Sequence, residues 1–448
     1  MLVSSELFKS MLDKIFDVER SSLLNISLKI MNRNNPLFTI DNAIIEMIRI
    51  SEEFNVNNVA DIRMKCLIRT KYVPELISNQ NGLYCTLVFE YVDMHTAEVL
   101  LDEPPEIYEF NMLAFDIGSL AKSIGIHHIN DISSLSDTAL SKEEALSILS
   151  LEFQLISDDE YNFNKSAFMG LFKQVSMAKV IRYIANAVGV KRIYLVDPDN
   201  TSIYNHIYIP PEYWKINVIF DYLQKQYGVY NNGLTYYLSK GILYVYPPFD
   251  VNATRKNKLV VLKPPPYTYV GGPNYYIEDE NTLTILSNSD VIHNTDSHIL
   301  SENVGTSQLF VKSDSTIDGQ VNYGDSFKFT DTNMIASNGM DNTISDQSAS
   351  VKYAKPTMNI YQHLSNFARS NTEHIILNWS YARLGKIQPG LPVDFVFDEK
   401  DIVMTKTGLV ESVIYTITKS SAKGGNSTYA ISGVIGLRLD VDQKKYEI

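Results

Sequence analysis

The stretch that decides the fold runs from Val59 to Asp93. It opens with Val59-Ala60-Asp61-Ile62-Arg63-Met64-Lys65-Cys66-Leu67-Ile68-Arg69-Thr70 and passes through Tyr72-Val73-Pro74-Glu75-Leu76-Ile77 and the turn Asn79-Gln80-Asn81-Gly82. It closes with Leu83-Tyr84-Cys85-Thr86-Leu87-Val88-Phe89-Glu90-Tyr91-Val92-Asp93. Ile62, Met64, Cys66 and Ile68 recur at every second position, and so do Leu83, Cys85, Leu87 and Phe89. A period of two puts one set of side chains on a buried face and the other toward water, which predicts two strands joined by a short helical crossover at Val73 to Ile77.

The same theme extends outward. Leu24 to Met31 alternates through Ile26, Leu28 and Ile30 and stops at the turn Asn32-Arg33-Asn34-Asn35-Pro36. Residues 1–20 place Leu7, Met11, Leu12, Ile15 and Val18 at spacings of three and four, an amphipathic helix. Glu106 to Ile117 is a further strand. The expected unit for residues 1 to 117 is a β layer crossed by one short helix.

The middle reads differently. Leu149 to Ile156 alternates, and Ser176 is positioned to cap a helix over Met177 to Val188 that stops at Gly189. Arg192 to Val196 is a buried-type strand followed by the turn Asp197-Pro198-Asp199-Asn200. Pro211 opens a second helix with Trp214, Val218, Ile219, Tyr222 and Leu223 on one face and Gly228 as its stop. A hairpin follows: Leu234 to Leu238, Ser239-Lys240-Gly241, Ile242 to Tyr246. Together these predict an α/β lobe. From 251 to 355 the chain turns to Pro-rich, Gly-rich and then Ser/Asn/Asp/Thr-rich sequence, expected to form long loops and short hairpins. Strands return at Ile375 to Trp379, Val393 to Phe397, Gly408 to Thr418 and Tyr429 to Leu439, with turns at Pro389-Gly390 and Gly424-Gly425-Asn426.

The chain has 448 residues, enough for roughly two to four domains. Two cysteines, both inside strand-like runs, are too few for a disulfide framework and lack paired zinc spacing, so they are expected in the core of a protein made in a reducing compartment. Met1 to Phe16 carries acidic residues among the apolar ones and reads as no signal peptide. No run of about 18 apolar residues predicts a membrane span. The net charge of −13 argues against tight binding to a phosphate backbone. Between Asp93 and Glu160 fifteen acidic residues face only Lys122 and Lys142, a solvated face or a surface that repels DNA passing beside it.

No catalytic constellation emerges. Gly324-Asp325-Ser326-Phe327 resembles the start of a Gly-Asp-Ser-Leu esterase motif, but neither His363 nor His374 follows an Asp at the spacing that family uses. Glu212, Asp221 and Tyr227 come nearest to a phage-type lysozyme triad, yet the third member is wrong and nine residues on a helix set the two carboxylates on opposite sides. His127-His128 and His293 with His298 lack companion ligands at metal-site spacing. The cluster Arg255, Lys256, Lys258, Lys263 is too short for strong phosphate affinity and suits a salt-bridging loop. Tyr230, Tyr236, Tyr237, Tyr244, Tyr246, Tyr267, Tyr269, Tyr275 and Tyr276 crowd one region, either packing a hairpin or presenting a protein contact. The expectation is therefore no catalytic, cofactor-binding or metal-binding residue, and no enzyme.

Three stretches together resemble a known family. They are Asp61 to Met94 with Tyr72-Val73-Pro74-Glu75-Leu76; Ile209 to Pro247 with Ile-Pro-Pro before a helix and Tyr227-Gly228-Val229-Tyr230; and a C-terminus with Ile387-Gln388-Pro389-Gly390-Leu391-Pro392-Val393 and Thr407-Gly408-Leu409-Val410. In arrangement they resemble the baseplate hub proteins of contractile-tailed phages, relatives of the base of type VI secretion spikes. The resemblance implies two tube-like antiparallel β-barrel domains; with the intervening α/β lobe and the loop-rich segment read from the residues themselves, the expected chain is α+β and β-rich. The corresponding domains are 1–117, an N-terminal tube-like β domain; 118–260, the α/β lobe; 261–355, loop-rich; and 356–448, a C-terminal β domain. In that family the second tube can be assembled from separated segments, so 118–177 is a candidate to pack with the C-terminal strands. The resemblance further implies a homotrimer in the virion baseplate, built in the host cytoplasm. It would join the sixfold tail tube proteins to the threefold central spike protein and line the DNA channel. The tape measure and baseplate wedge proteins are further candidate partners, without specific nucleic-acid binding or an integral membrane segment. The alternatives are a virion-associated hydrolase or depolymerase and a receptor-binding tail protein.

Overall fold

Alternation in the sequence becomes strand pairing in the computed structural model. It describes residues 5–16, 22–113, 148–250, 257–264, 276–287 and 372–440, with short breaks inside the longer runs. It also describes the strands at 292–293, 307–316, 330–336 and 444–445 and isolated positions between 361 and 368. In chain order the elements are α1 (Ser5–Phe16), β1 (Ser22–Asn32), β2 (Ile44–Glu52), β3 (Asp61–Arg69), α2 (Val73–Ser78), β4 (Leu83–Asp93), β5 (Glu106–Leu113) and β6 (Ile148–Ile156). The lobe follows: α3 (Asp158–Lys165), β7 (Gly170–Val175), α4 (Met177–Ala187), β8 (Arg192–Leu195), β9 (Tyr204–Ile209), α5 (Ile216–Gln226), β10 (Thr235–Ser239) and β11 (Ile242–Tyr246). Then come β12 (Lys258–Lys263), β13 (Tyr276–Asp279), β14 (Thr282–Leu286), β15 (Thr372–Ser380), β16 (Pro392–Glu399), β17 (Ile402–Lys419) and β18 (Thr428–Asp440).

A 16-stranded mixed sheet dominates. Eight of its strands hydrogen-bond in a circuit that returns on itself, in the order β17-β2-β3-β6-β5-β4-β1-β18 and back to β17, all antiparallel. Two joints in the circuit are narrow: β1 meets β18 only at Leu24↔Tyr429 and Asn25↔Thr428, and β5 meets β6 only over Asn111–Leu113. The alternating side chains of β3 and β4, Ile62, Met64, Cys66, Ile68, Leu83, Cys85, Leu87 and Phe89, all enter one core. Burial at that core pushes the Cys85 thiol up to about 12 and Cys66 higher still, so both are packing residues.

Local chemistry fixes the entry to this unit. The buried Asn32 side chain accepts from the backbone N–H groups of Asn34 (2.7 Å) and Asn35 (3.0 Å) and donates to the carbonyls of Asn79 (2.6 Å) and Asn81 (3.1 Å). One side chain thus ties the turn after β1 to the turn before β4. Gly82 sits there at φ +90, where a side chain would also meet the Asn34 amide at 2.8 Å.

The hairpin β17–β18 belongs to two groups of strands at once. Along one edge β17 pairs with β16 through residues 402–409 and then with β2 through 413–418. Along the opposite edge β18 pairs with β1 at 428–429 and with β15 at 432–440. The change of partner along β17 coincides with a bulge between Val410 and Ser412 that bends the pair. Gly408 makes the close approach there, since a Cβ would lie 2.0 Å from the Arg438 carbonyl oxygen. The second group runs β13-β14-β12-β16-β17-β18-β15, with β12 parallel to both β14 and β16. Its outer face is covered by α1, whose Phe8, Leu12 and Ile15 pack on Val260, Leu262, Leu286, Val396 and Val403. Residues from both groups of strands share one continuous core.

The α/β lobe has a core of its own, with Val180, Ile181 and Ile184 of α4 and Ile216, Ile219, Phe220 and Leu223 of α5. Its three-stranded sheet has the order β10-β11-β8. Lys240 and Gly241, at φ 48 and 70, form the two-residue turn of the β10–β11 hairpin. Ser176 precedes α4 as expected, but its hydroxyl accepts no capping hydrogen bond. Ser157 instead forms a full capping box with Glu160 at the start of α3. At the end of α5 the buried Asn200 amide donates to the carbonyls of Tyr227 (3.0 Å) and Gly228 (2.7 Å).

Candidate functional site

The β10–β11 hairpin is the point where lobe and sheet meet. Leu238 N–H donates to the Asn58 carbonyl (2.9 Å) and the Asn58 amide donates to the Tyr236 hydroxyl (2.9 Å), fastening the hairpin beside β3. The Tyr237 hydroxyl donates to the Pro389 carbonyl (3.0 Å), fastening the same hairpin to the turn before β16. Arg383, after β15, pairs with Glu103 at 2.6 Å and lies over the Tyr91 ring. These contacts hold three parts of the chain at fixed positions, with Tyr230, Tyr236, Tyr237 and Tyr246 buried in the packing.

Beside this junction a cavity of about 240 Å³ opens along the sheet. Its apolar wall includes Ile48, Ile50, Ile62, Leu87, Phe89 and Tyr415. Its polar side comprises Glu52 at the end of β2, Glu109 on β5, Glu160 on α3 and Lys240 at the hairpin tip. Burial pushes the Glu52 carboxyl up to about 7, opposed by the Lys240 ammonium and reinforced by the charge of Glu160. Burial likewise raises Glu160, against its Ser157 hydrogen bonds. The remaining wall is β5 itself, Ile107 to Phe110, where the Tyr108 hydroxyl donates to Glu106 and its ring stacks on Phe110.

A second polar group lies at the bulge. Lys406 is buried against Glu373, while Arg438 donates to Glu411 (2.5 Å) and His374 Nε2 lies 3.1 Å from the other Glu411 oxygen. Strands β15, β17 and β18 supply all five residues, so the network locks the register where the hairpin changes partners.

Some of the residues that the sequence offered for chemistry lie among the described ones. Glu212 and Asp221 are both exposed, and Tyr227 hydroxyl bonds to the backbone of Tyr208. Lys258 pairs with Asp394. Gly324 to Phe327, His127-His128, His298, Arg255, Lys256, Trp214, Tyr267, Tyr269 and Tyr275 lie outside the described residues, as does most of the acidic stretch between Asp93 and Glu160 and of the loop-rich segment. Among the described residues no group of three or more His, Cys, Asp or Glu could hold a metal ion, and no helix is long and apolar enough to cross a membrane. Sequence reading missed Glu52, Glu160 and Lys240 because they come from three distant segments and no motif joins them.

Comparison with known proteins sets this architecture in context. No curated protein matches the sequence. Among solved structures the chain is similar to a tail protein from Neisseria meningitidis MC58, at 12% identity and TM-score 0.42, covering 93% of this chain and 97% of that one. It is similar to the Francisella PdpA-VgrG complex in its half-lidded form, at 11% identity and TM-score 0.37, covering 99% of this chain and 63% of that one. It is also similar to an E. coli component of the type VI secretion system described as structurally similar to T4 bacteriophage tail proteins, at 8% identity and TM-score 0.38, covering 94% and 78%. The family described as Bacteriophage PBS1 gene 109 protein matches residues 12–339, well over half of the sequence. The chain belongs to the Bacteriophage PBS1 gene 109 protein family.

Proposed function

We propose that the chain is a structural protein of a phage tail, the central baseplate hub of a contractile tail. It assembles as a homotrimer that joins the sixfold tail tube to the threefold central spike and lines the channel through which DNA leaves. The observation that carries this reading is the shared β17–β18 hairpin, which completes one antiparallel circuit of strands and continues into a second group. Two tube-like β units per chain give six around a threefold axis, which reconciles the two symmetries that such an adaptor must meet. Membership of a bacteriophage protein family supports placement in the virion. The acidic balance of the chain supports passage of DNA without adhesion.

In this reading the domains are those expected at 1–117, 118–260, 261–355 and 356–448. Strand β6 is counted with the first unit, because it pairs with β3 and β5, and β12 with the last, because it pairs with β16. Tail tube and central spike proteins are its partners, with tape measure and baseplate wedge proteins as further candidates, and it makes and breaks no covalent bonds. Assembly takes place in the host cytoplasm. Antibodies against the purified chain, gold-labelled and imaged on virions with the baseplate opened, test the placement: label at the distal end of the tail tube supports it, and label on the capsid or along the sheath overturns it.

A further inference from the structure

The circuit of strands is not sealed evenly. Strand β5 pairs with β4 over its whole upper length, Glu106 to Asn111 against Phe89 to Tyr84, but with β6 only at its last three residues. Among the described residues Glu106 to Phe110 therefore have a neighbour on one side alone. A row of unpaired backbone N–H and C=O groups is a template for another strand. The free edge is also the wall of the 240 Å³ cavity, and Ile107 beside it is 65% exposed.

An open strand edge and an apolar hole next to it are the two parts of a strand-addition site: backbone hydrogen bonds supply affinity, and a pocket for every second side chain supplies selection. The charges here choose the chemistry of the incoming strand. Glu52, Glu109 and Glu160 line the cavity against a single cation, Lys240, and Glu106 stands at the start of the edge.

We propose that the edge Glu106–Phe110 receives an extended segment of another polypeptide in which apolar and basic residues alternate. The apolar side chains fill the cavity beside Ile50, Leu87 and Phe89, and the basic ones, on the opposite face of the added strand, meet Glu109. This site goes beyond the hub assignment and would be present on a single chain.

The test is fluorescence polarisation with a labelled, end-capped octapeptide of alternating leucine and lysine, set against one of alternating leucine and glutamate. Wild-type protein is expected to bind the lysine peptide saturably and the glutamate peptide not at all. Ala60→Phe, which fills the cavity, and Glu109→Lys, which reverses an exposed charge, should each weaken binding at least tenfold. Circular dichroism and melting check both variants, and the exposed position of Glu109 keeps the test open if Ala60→Phe fails to fold. The proposal is overturned if the lysine peptide does not bind, if both peptides bind alike, or if Glu109→Lys binds as well as the parent. It is equally overturned if Ala60→Phe lowers the mass of the free protein in light scattering, which would give the edge to a second copy.

Discussion

Glu52→Gln tests the electrostatics of the cavity quantitatively. An ordinary glutamate titrates at 4.5, whereas burial holds Glu52 up to about 7. Below pH 4.5 the group is protonated in both folded and unfolded chains and contributes nothing. As pH rises from 4.5 to 7 the unfolded chain releases the proton and the folded chain keeps it, so stability falls, and above 7 the loss is complete. At about 1.36 kcal/mol for each tenfold change in proton affinity, the full cost is about 3 kcal/mol at pH 8 and about 2 kcal/mol at pH 6. Glutamine keeps the shape and removes the charge. Urea melts of parent and variant at one protein concentration, followed by circular dichroism, should show the variant more stable by those amounts, with the gain growing as pH rises. A variant no more stable than its parent at pH 8, or a gain independent of pH, would refute the reasoning.

Two further substitutions probe the shared hairpin. Gly408→Ala places a Cβ 2.0 Å from the Arg438 carbonyl, against backbone that cannot yield, and should cost about 3 kcal/mol in the same melts, while Gly189→Ala, with open space around it, should cost about 1 kcal/mol for its φ of +86 alone. Lys406→Met removes the buried cation beside Glu373 and should cost about 3 kcal/mol, most of which Lys406→Met combined with Glu373→Leu should restore; a double variant as unstable as the single one would contradict the pairing.

Much of the strand content was legible where a strand is buried on one face, as the alternation in β3 and β4 announces. Strand β2 escaped notice for a physical reason: a bulge between Ile45 and Met47 shifts its buried residues out of step, so Ile45 and Ile48 enter the core three positions apart. Strand β12 is apolar throughout, Leu259 to Leu262, since the shared core takes one face and α1 the other, and such a run carries no period. Its parallel pairing with β16, across more than a hundred residues of chain, has no local signal at all. The cavity was hidden for the same reason, because the free edge of β5 depends on how few residues β6 shares with it.

The mass of the purified protein in solution, by light scattering behind size exclusion, bears most directly on the claim that the chain is a hub whose strand surfaces are spent on sister copies. The account predicts a single species of three times the 50.8 kDa chain mass, stable on dilution. A species of one chain mass at all concentrations would contradict it.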